Sequence, residues 1–208
     1  MGRYTGPVCR QCRREGMKLF LKGDRCYMAK CPIETGRPAP GMHGQRRSKV
    51  SDYGVQLREK QRLKRMYGMR EEQFRGFFDK ALKARGVTGE RLLQMLELRI
   101  DNVVYRLGFA PSRRAARQFV LHGHVAVNGR KASIPSMLLK AGDVVQVRER
   151  KQGREYAGKF MEVAESRGRV GWLSLDKEQF RGEILHVPSR EEIAPVVREH
   201  LIVELYSK

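Results

Sequence analysis

Hydrophobic residues recur along the middle of the chain with the period of an α-helix. The clearest stripe consists of Phe74, Phe77, Phe78, Ala81 and Leu82. This i, i+3, i+4 spacing puts all five side chains on one helical face, which we predict to be core, in a helix ending at Gly86. The same period predicts a basic helix over residues 55–66, a leucine-rich helix capped by Thr88, and a short helix over residues 100–107.

A further helix and a β-hairpin follow. Ser112 is well placed to cap this helix, and Gly123 to end it in the left-handed conformation. Beyond Gly123 the period falls to two, and the pair Asn128-Gly129 between two such runs favours a hairpin. A glycine turn then leads into a strand at residues 144–147.

The final quarter of the chain is less regular. It predicts a helix over residues 155–166, short strands near Trp172 and at residues 184–187, and a last strand or extended segment at residues 201–206. The expected fold class is therefore α+β and mainly helical, with a small antiparallel sheet in the second of two domains.

Shifts in composition divide the chain into four parts. Residues 1–44 hold all the cysteines and end in a linker rich in proline and glycine. Residues 45–98 form a basic helical domain, and residues 99–190 form the second, α+β domain. Residues 191–208 form a tail that we expect to pack back on the helical domain.

Positive charge is concentrated in the first three-quarters of the chain. The 208 residues include 43 Lys and Arg against 23 Asp and Glu, a net charge of +20, whereas residues 151–208 carry ten of each sign. Such an excess repels itself unless a polyanion neutralises it, so the expected partner is a nucleic acid. A membrane surface is disfavoured, because no basic helix carries a wide apolar face.

The chain has no apolar run long enough to span a bilayer, and its start lacks the apolar core of a signal peptide. We therefore expect a cytosolic protein, whose thiols are reduced.

The four cysteines fall within the first 31 residues, at Cys9, Cys12, Cys26 and Cys31. Their C-x2-C and C-x4-C pairs are typical of a closed tetrahedral site of four thiolates, which predicts a structural Zn²⁺. A 4Fe–4S cluster takes the same donors and stays open as an alternative, whereas disulfides or incidental thiols fit less well. The segment has few large apolar residues, so metal binding would fold it.

Two basic clusters are candidate nucleic-acid contacts. The first consists of Arg46, Arg47, Lys49, Arg58, Lys60, Arg62, Lys64 and Arg65. The second consists of Arg113, Arg114, Arg117, His122, His124 and Lys131. The arginines of the second cluster lie at the start of a predicted helix, where free N–H groups and the helix dipole attract phosphate. A solvated charged face is the alternative for these arginines alone.

Longer runs make the chain resemble a known family. They are RIDNVVYRLGFA at residues 99–110, SRRAARQ at 112–118, HGHV at 122–125 and VNG at 127–129. These runs resemble the RNA-binding module of the S-four family of small-subunit ribosomal proteins, at about residues 99–150. Further matches cover essentially the whole chain: GRY at 2–4 with the cysteines, PG-x-HG at 40–44, SDY at 51–53, WLS at 172–174 and LIVELYS at 201–207. The likeness is to bacterial, cysteine-containing members; others lack some of these cysteines, so the family does not require a metal.

The resemblance implies a structural constituent of the small ribosomal subunit in the cytoplasm, neither an enzyme nor an obligate homo-oligomer. It would bind small-subunit ribosomal RNA directly through the two basic clusters and nucleate assembly of the subunit body. It would also contact other ribosomal components, among them small-subunit protein number five, at a surface that contributes to translational accuracy.

Two other functions compete with this one. An RNA-modifying enzyme or another RNA-binding protein can carry the same module. Against an enzyme, residues 151–208 are too few for a catalytic domain, and no second carboxylate, Ser–His pair or P-loop pattern assembles a site. A zinc-containing DNA-binding regulator would need a two-histidine finger pattern or dimerising heptads, and the sequence has neither.

Overall fold

The chain folds into helices followed by a small antiparallel sheet, in agreement with the predicted α+β class. The structure is a computed structural model and describes residues 2–44, 49–165, 168, 170–193 and 197–207. Its helices are α1 (Cys9–Glu15), a 3-10 helix (Gly23–Cys26), α2 (Asp52–Met66), α3 (Glu71–Lys83), α4 (Thr88–Glu97), α5 (Ile100–Arg106), α6 (Arg113–Leu121), α7 (Lys151–Glu165) and α8 (Glu199–Tyr206). Its strands are β1 (Val125–Val127), β2 (Arg130–Ala132), β3 (Val144–Val147), β4 (Leu173–Asp176) and β5 (Arg181–Ile184).

The chain divides into two compact units, the first formed by Met1–Arg91 with Pro195–Lys208 and the second by Leu92–Ala194. In the first unit, α2 begins at Asp52, within the SDY run and three residues before the basic stretch that starts at residue 55, because Ser51 Oγ accepts a hydrogen bond from the backbone N–H of Gly54 (3.2 Å) and caps the helix. The buried stripe of α3 consists of Phe74, Phe77, Phe78 and Ala81. The prediction that Leu82 is core is wrong: it lies at the end of α3, beside the core-facing stripe, and is 58% exposed.

The C-terminal tail is a helix rather than the predicted strand or extended segment. Helix α8 packs against α2, with Ile202 buried and the Tyr206 ring 4.6 Å from that of Phe78, centroid to centroid. The run LIVELY contains too few polar residues for its period to separate a strand from a buried helix. One face of a short helix therefore holds the tail on the first unit.

The second unit contains a five-stranded antiparallel sheet in the order β2-β1-β3-β5-β4. Strand β1 is central to the first half of the sheet: Val125 pairs with Ala132 of β2 on one side and with Val147 of β3 on the other. These three side chains face a core that α5, α6, α7 and the buried Trp172 complete.

Two boundaries in this unit differ from the prediction. Helix α7 begins at residue 151 instead of 155, and β5 covers Arg181–Ile184 instead of residues 184–187. In β5, Gly182 lies so close to the buried Leu107 that a Cβ would overlap its side chain, while the flanking charged residues are exposed. The strand therefore carries too few apolar residues to be recognised in the sequence.

Candidate nucleic-acid interface

The helix α6 and the hairpin after it have the geometry that the sequence predicts. Ser112 Oγ accepts a hydrogen bond from the backbone N–H of Ala115 (3.3 Å) and caps α6. Gly123 has a φ of +70° and turns the chain out of the helix into β1. The positive φ angles at Asn128 and Gly129, 49° and 78°, are those of the tight hairpin turn that this pair favours.

The side chain of Asn128 also ties the hairpin to the turn before β3. Its Nδ2 donates to the Asp143 carboxylate (2.9 Å), and its Oδ1 accepts from the backbone N–H of Val144 (2.9 Å). The hairpin therefore has a defined position relative to β3, which a turn held by backbone bonds alone would fix less firmly.

Two buried carboxylates, at the end of α4 and in α5, hold Arg106 and Arg99. The Glu97 side chain is 1% exposed and accepts hydrogen bonds from Arg106 (2.7 and 3.0 Å) and from Asn102 Nδ2 (2.7 Å). The Asp101 carboxylate accepts two hydrogen bonds from the guanidinium of the buried Arg99 (2.6 and 3.0 Å). Because buried charges are costly unless paired, these networks fix the conformation of α5.

Arg113 and Arg117, which the sequence assigns to RNA binding, join α6 to these networks. Arg113 Nε donates to Asn102 Oδ1 (2.7 Å), and its guanidinium lies 4.8 Å from the Tyr105 ring centroid. Arg117 Nη1 lies 3.5 Å from the Asp101 carboxylate. Both side chains are nearly buried, at 11% and 13% exposure. They therefore orient α6, while their RNA contacts stay a prediction.

Two other cations of the second cluster are less buried than Arg113 and Arg117 or lack their partners. Arg114 is half-buried and Lys131 is exposed. Neither has an ion pair or a side-chain hydrogen bond within the part of the chain that the structure describes. The methylenes of Lys131 lie over Gly123, where a Cβ would meet them. Arg114 lies in the first turn of α6 and Lys131 in β2, and their RNA contacts stay a prediction.

The two histidines of this cluster lie beside a group of aromatic rings. The Phe119 ring stacks with the His124 ring (centroids 4.9 Å apart) and with the Tyr156 ring (5.3 Å). The exposed His122 ring lies 6.1 Å from that of His124. Burial lowers the pKa of His124, and the nearby charges of His122 and two arginines lower it further, which favours the neutral ring.

The basic residues of α2 are largely paired within the fold. Arg58 and Arg65 both contact Oε1 of Glu15, whose side chain is fully buried at the end of α1. Arg62 pairs with Glu59 one turn earlier on the same helix. No sequence pattern indicates the Glu15 pairs, because the partners are 43 and 50 residues apart.

Lys60 and Lys64 share the carboxylate of Glu71 at the start of α3, at 2.5 and 2.7 Å. Tyr206 of α8 donates its hydroxyl to the same carboxylate (2.8 Å). Burial of Glu71 acts to raise its pKa, but the hydrogen bonds from Lys60, Lys64 and Tyr206 outweigh it and lower the pKa to about 2. Glu71 thus stays ionised and joins α2, α3 and α8.

Three residues of the first cluster precede α2. Lys49 is exposed, without a partner among the residues described, and Arg46 and Arg47 lie outside the described residues. For all fourteen residues of the two basic clusters, RNA binding stays a prediction.

The cysteines lie close enough to influence one another. Burial raises the pKa of the Cys12 thiol, and the thiols of Cys26, Cys9 and Cys31 raise it further. Cys26 Sγ accepts a hydrogen bond from the backbone N–H of Lys22 (3.3 Å). Across residues 2–44, 49–165 and the other described positions, however, no three His, Cys, Asp or Glu side chains are arranged to hold a metal ion. The metal therefore stays a prediction.

Within the described part of the chain, no helix has the length and apolar character required to cross a bilayer. Residues 3–97 match the family model of the ribosomal protein S4/S9 N-terminal domain, and residues 98–145 match that of the S4 domain. The helical unit, the α6 hairpin and these matches define a protein of the S4-domain class.

The chain is also similar to whole proteins over their full length. The chain is 57% identical to the small ribosomal subunit protein uS4 of Thermoanaerobacter sp. (strain X514) and 57% identical to that of Trichlorobacter lovleyi (strain ATCC BAA-1151 / DSM 17278 / SZ). It is 55% identical to that of Geotalea daltonii (strain DSM 22248 / JCM 15807 / FRC-32). Each alignment covers 100% of both chains. The chain belongs to the uS4 family of small ribosomal subunit proteins, which confirms the resemblance seen in the sequence and the expectation that it is not an enzyme.

Proposed function

We propose that the protein is a structural constituent of the small ribosomal subunit, in the cytoplasm, and binds the subunit's RNA directly. The observation that carries this function is the match to uS4 proteins over every residue of the chain at 55–57% identity. The net charge of +20 supports it, since a folded polyanion would neutralise the repulsion between so many cations. Early binding that nucleates the subunit body and a contribution to translational accuracy follow from the same resemblance.

We propose that RNA is held by the cations that the fold leaves available. Around α6 and the hairpin these include Arg114, Arg130 and Lys131, next to backbone N–H groups at the start of α6 that also attract phosphate. The buried pairs of Arg113 and Arg117 hold α6 in position. Because phosphate contacts carry little sequence information, such a surface selects the shape of a folded RNA.

The test is binding to a transcript of small-subunit ribosomal RNA over a range of salt concentrations, with a transfer RNA as the control. The affinity for the ribosomal transcript should be higher, and its logarithm should fall linearly with the logarithm of salt, because each neutralised phosphate releases counterions. In cells, the protein should co-sediment with small subunits and leave them only at high salt. A salt-independent affinity, or equal affinity for both RNAs, would refute the proposal.

We also propose that Cys9, Cys12, Cys26 and Cys31 hold a structural Zn²⁺, with a 4Fe–4S cluster as the alternative. The proposal is supported by the chemistry of the donors, since four thiols lie in one short segment and those of Cys9, Cys26 and Cys31 influence the pKa of Cys12. The ion would join α1 to the 3-10 helix and the loop after it. Metal analysis of protein purified without chelator should find one zinc, and Cys26→Ser should abolish it and reduce amide protection in residues 2–44. Neither zinc nor iron in the wild-type protein would contradict the proposal, and iron with visible absorbance would identify the cluster.

Small-subunit protein number five is the proposed protein partner. The support is the family resemblance together with the neutral composition of residues 151–208, which carry ten residues of each charge sign and suit a protein neighbour better than RNA. Binding should then be 1:1 between the two proteins, with this protein monomeric when alone. A stable homodimer in sedimentation equilibrium would contradict it.

A further inference from the structure

Beside the cations of the α6 hairpin, the second unit contains a cavity whose chemistry differs from that of a phosphate site. Its volume is about 230 Å³, well above the roughly 10–15 Å³ that a cavity needs to hold one water. It is partly open to solvent and is formed by α6, by the residues before β1, and by the first turns of α7. Its lining includes Gln118, Phe119, His122, His124, Gln152 and Tyr156.

The rings in this lining offer flat apolar surface. Phe119 stacks with His124 and with Tyr156, and the interplanar angle is 21° in both pairs. The Phe160 ring meets Tyr156 edge-on at 4.9 Å and supports it from further along α7. Aromatic and histidine rings of this kind are the surfaces on which unstacked RNA bases lie.

The rim of the cavity offers hydrogen-bonding groups in a suitable position. Gln118 and Gln152 are exposed, and neither carboxamide has a partner in the segments that the structure describes. Each carries two N–H donors and one carbonyl acceptor, the complement of a base edge. Among the described residues no carboxylate lines the cavity, so its described wall does not repel a nucleotide.

Cations lie around the cavity rather than inside it. Arg114 lies one helical turn before Gln118 on the same face of α6. Arg148 and Arg150 are near enough to lower the pKa of His124. The rings would hold a flat heterocycle while these arginines contact the phosphates on either side of it.

We propose that this cavity binds one unpaired base of the ribosomal RNA, extruded from its stack and laid against the rings of His124 and Tyr156. The site rests on the proposed RNA-binding function and adds to it a contact that reads a base. It gives the protein a means to recognise a single-stranded position, such as a junction or a bulge, in addition to the shape of the phosphate backbone.

The direct test is ultraviolet cross-linking of the full chain bound to a transcript of small-subunit ribosomal RNA, followed by mass spectrometry. A nucleotide should be attached within residues 118–124 or at Tyr156, because stacked rings and bases cross-link at zero length. If the wild-type protein binds the transcript but no nucleotide is attached at these positions, the inference is overturned and the proposed function is not. If the wild-type protein does not bind the transcript, the proposed function fails first.

The affinity of variants for the same transcript provides a second test. Tyr156→Ala should weaken binding about five- to a hundredfold, because base–aromatic stacking is of that strength. Tyr156→Phe should restore the affinity to within about twofold, since the ring is retained. The salt dependence should be the same for all three proteins, because every cation that binds phosphate is retained. A lowered salt slope in Tyr156→Ala would mean that the cationic surface had been distorted and would count against a base site.

A second pair of variants tests the rim of the cavity and leaves the aromatic rings unchanged. Gln152→Ala should lower affinity for the transcript, whereas Gln179→Ala, at an exposed position in the turn before β5, should not. Equal affinity of these two variants, together with an unchanged affinity for Tyr156→Ala, would also overturn the inference.

Discussion

Glu71 offers a measurable test of the idea that the cations of α2 serve the fold. Its carboxylate accepts Lys60 at 2.5 Å, Lys64 at 2.7 Å and the Tyr206 hydroxyl at 2.8 Å, and so joins three helices of the first unit. Glu71→Gln keeps the size of the side chain and one acceptor oxygen but removes the charge. It should therefore destabilise the protein without altering its shape.

The expected decrease in stability follows from the pKa of Glu71. A decrease from 4.5 to about 2 would correspond to about 3 kcal/mol at about 1.4 kcal/mol per pKa unit. The side chain is 44% exposed, however, and solvent screens exposed pairs strongly. We therefore expect Glu71→Gln to lower the free energy of unfolding by about 1 kcal/mol at pH 7.

This decrease should depend on pH. Because the pKa of Glu71 is lower in the folded state, its stabilisation is complete above pH 4.5 and disappears as the pH falls towards 2. The difference between wild type and variant should then shrink between about pH 5 and pH 3.

Urea unfolding followed by circular dichroism measures both effects. Glu72→Gln is the matched control, since Glu72 is the exposed next residue and has no ion pair in the described part of the structure. Equal stability of Glu71→Gln and Glu72→Gln at pH 7, or a difference that does not change with pH, would refute the reasoning.

Three further predictions concern the second unit. Ser112→Ala removes the cap of α6 and should cost about 1 kcal/mol in urea unfolding, most of which Ser112→Thr should recover. Asn128→Ala removes two hydrogen bonds of 2.9 Å and places alanine at a φ of 49°, so it should lower the free energy of unfolding by about 2 kcal/mol. Asn128→Gly removes the same bonds but relieves the backbone strain, so it should lower the free energy of unfolding by less. Glu97→Gln leaves Arg106 without its charged partner and should lower the free energy of unfolding by about 2 kcal/mol. The control is Glu178→Gln, at an exposed position before β5. If Glu97→Gln destabilises the protein no more than this control does, the Glu97 network does not contribute to stability.

The parts of the fold that sequence predicts are those with a strong local signal. The stripe of α3 has the helical period, and the cap at Ser112 and the turn at Asn128-Gly129 depend on residues a few positions apart. The tail shows the limit of such signals, because a run of apolar residues such as LIVELY satisfies both periods. Only its packing on α2 decides that it is a helix.

The candidate interface was predictable as a charge excess but not as a set of contacts. From the sequence, Arg58 and Arg65 are cations available to RNA, yet both contact Glu15, an acid that lies in another helix. Likewise, Arg113 and Arg117 lie at the start of a helix, as a phosphate site requires, but are nearly buried against α5. Sequence shows which residues carry charge, whereas the pairing of those charges depends on tertiary contacts across many residues.

The sequence indicates only some of the residues that line the cavity beside Phe119. The sequence predicts RNA contacts for His122 and His124 but not for Tyr156, which lies on α7, 32 residues after His124. Only the fold brings the rings of His124 and Tyr156 together around Phe119 and leaves space beside them.

We infer that the fold divides its cations into those paired with carboxylates and those available to RNA. The most direct measurement is the salt dependence of affinity for small-subunit ribosomal RNA in two double variants. Arg114→Gln with Lys131→Gln should reduce the slope of log affinity against log salt concentration by about one for each phosphate that the protein no longer neutralises. Lys60→Gln with Lys64→Gln should lower the stability and leave the slope unchanged. A reduced slope in the second pair with none in the first would contradict the claim.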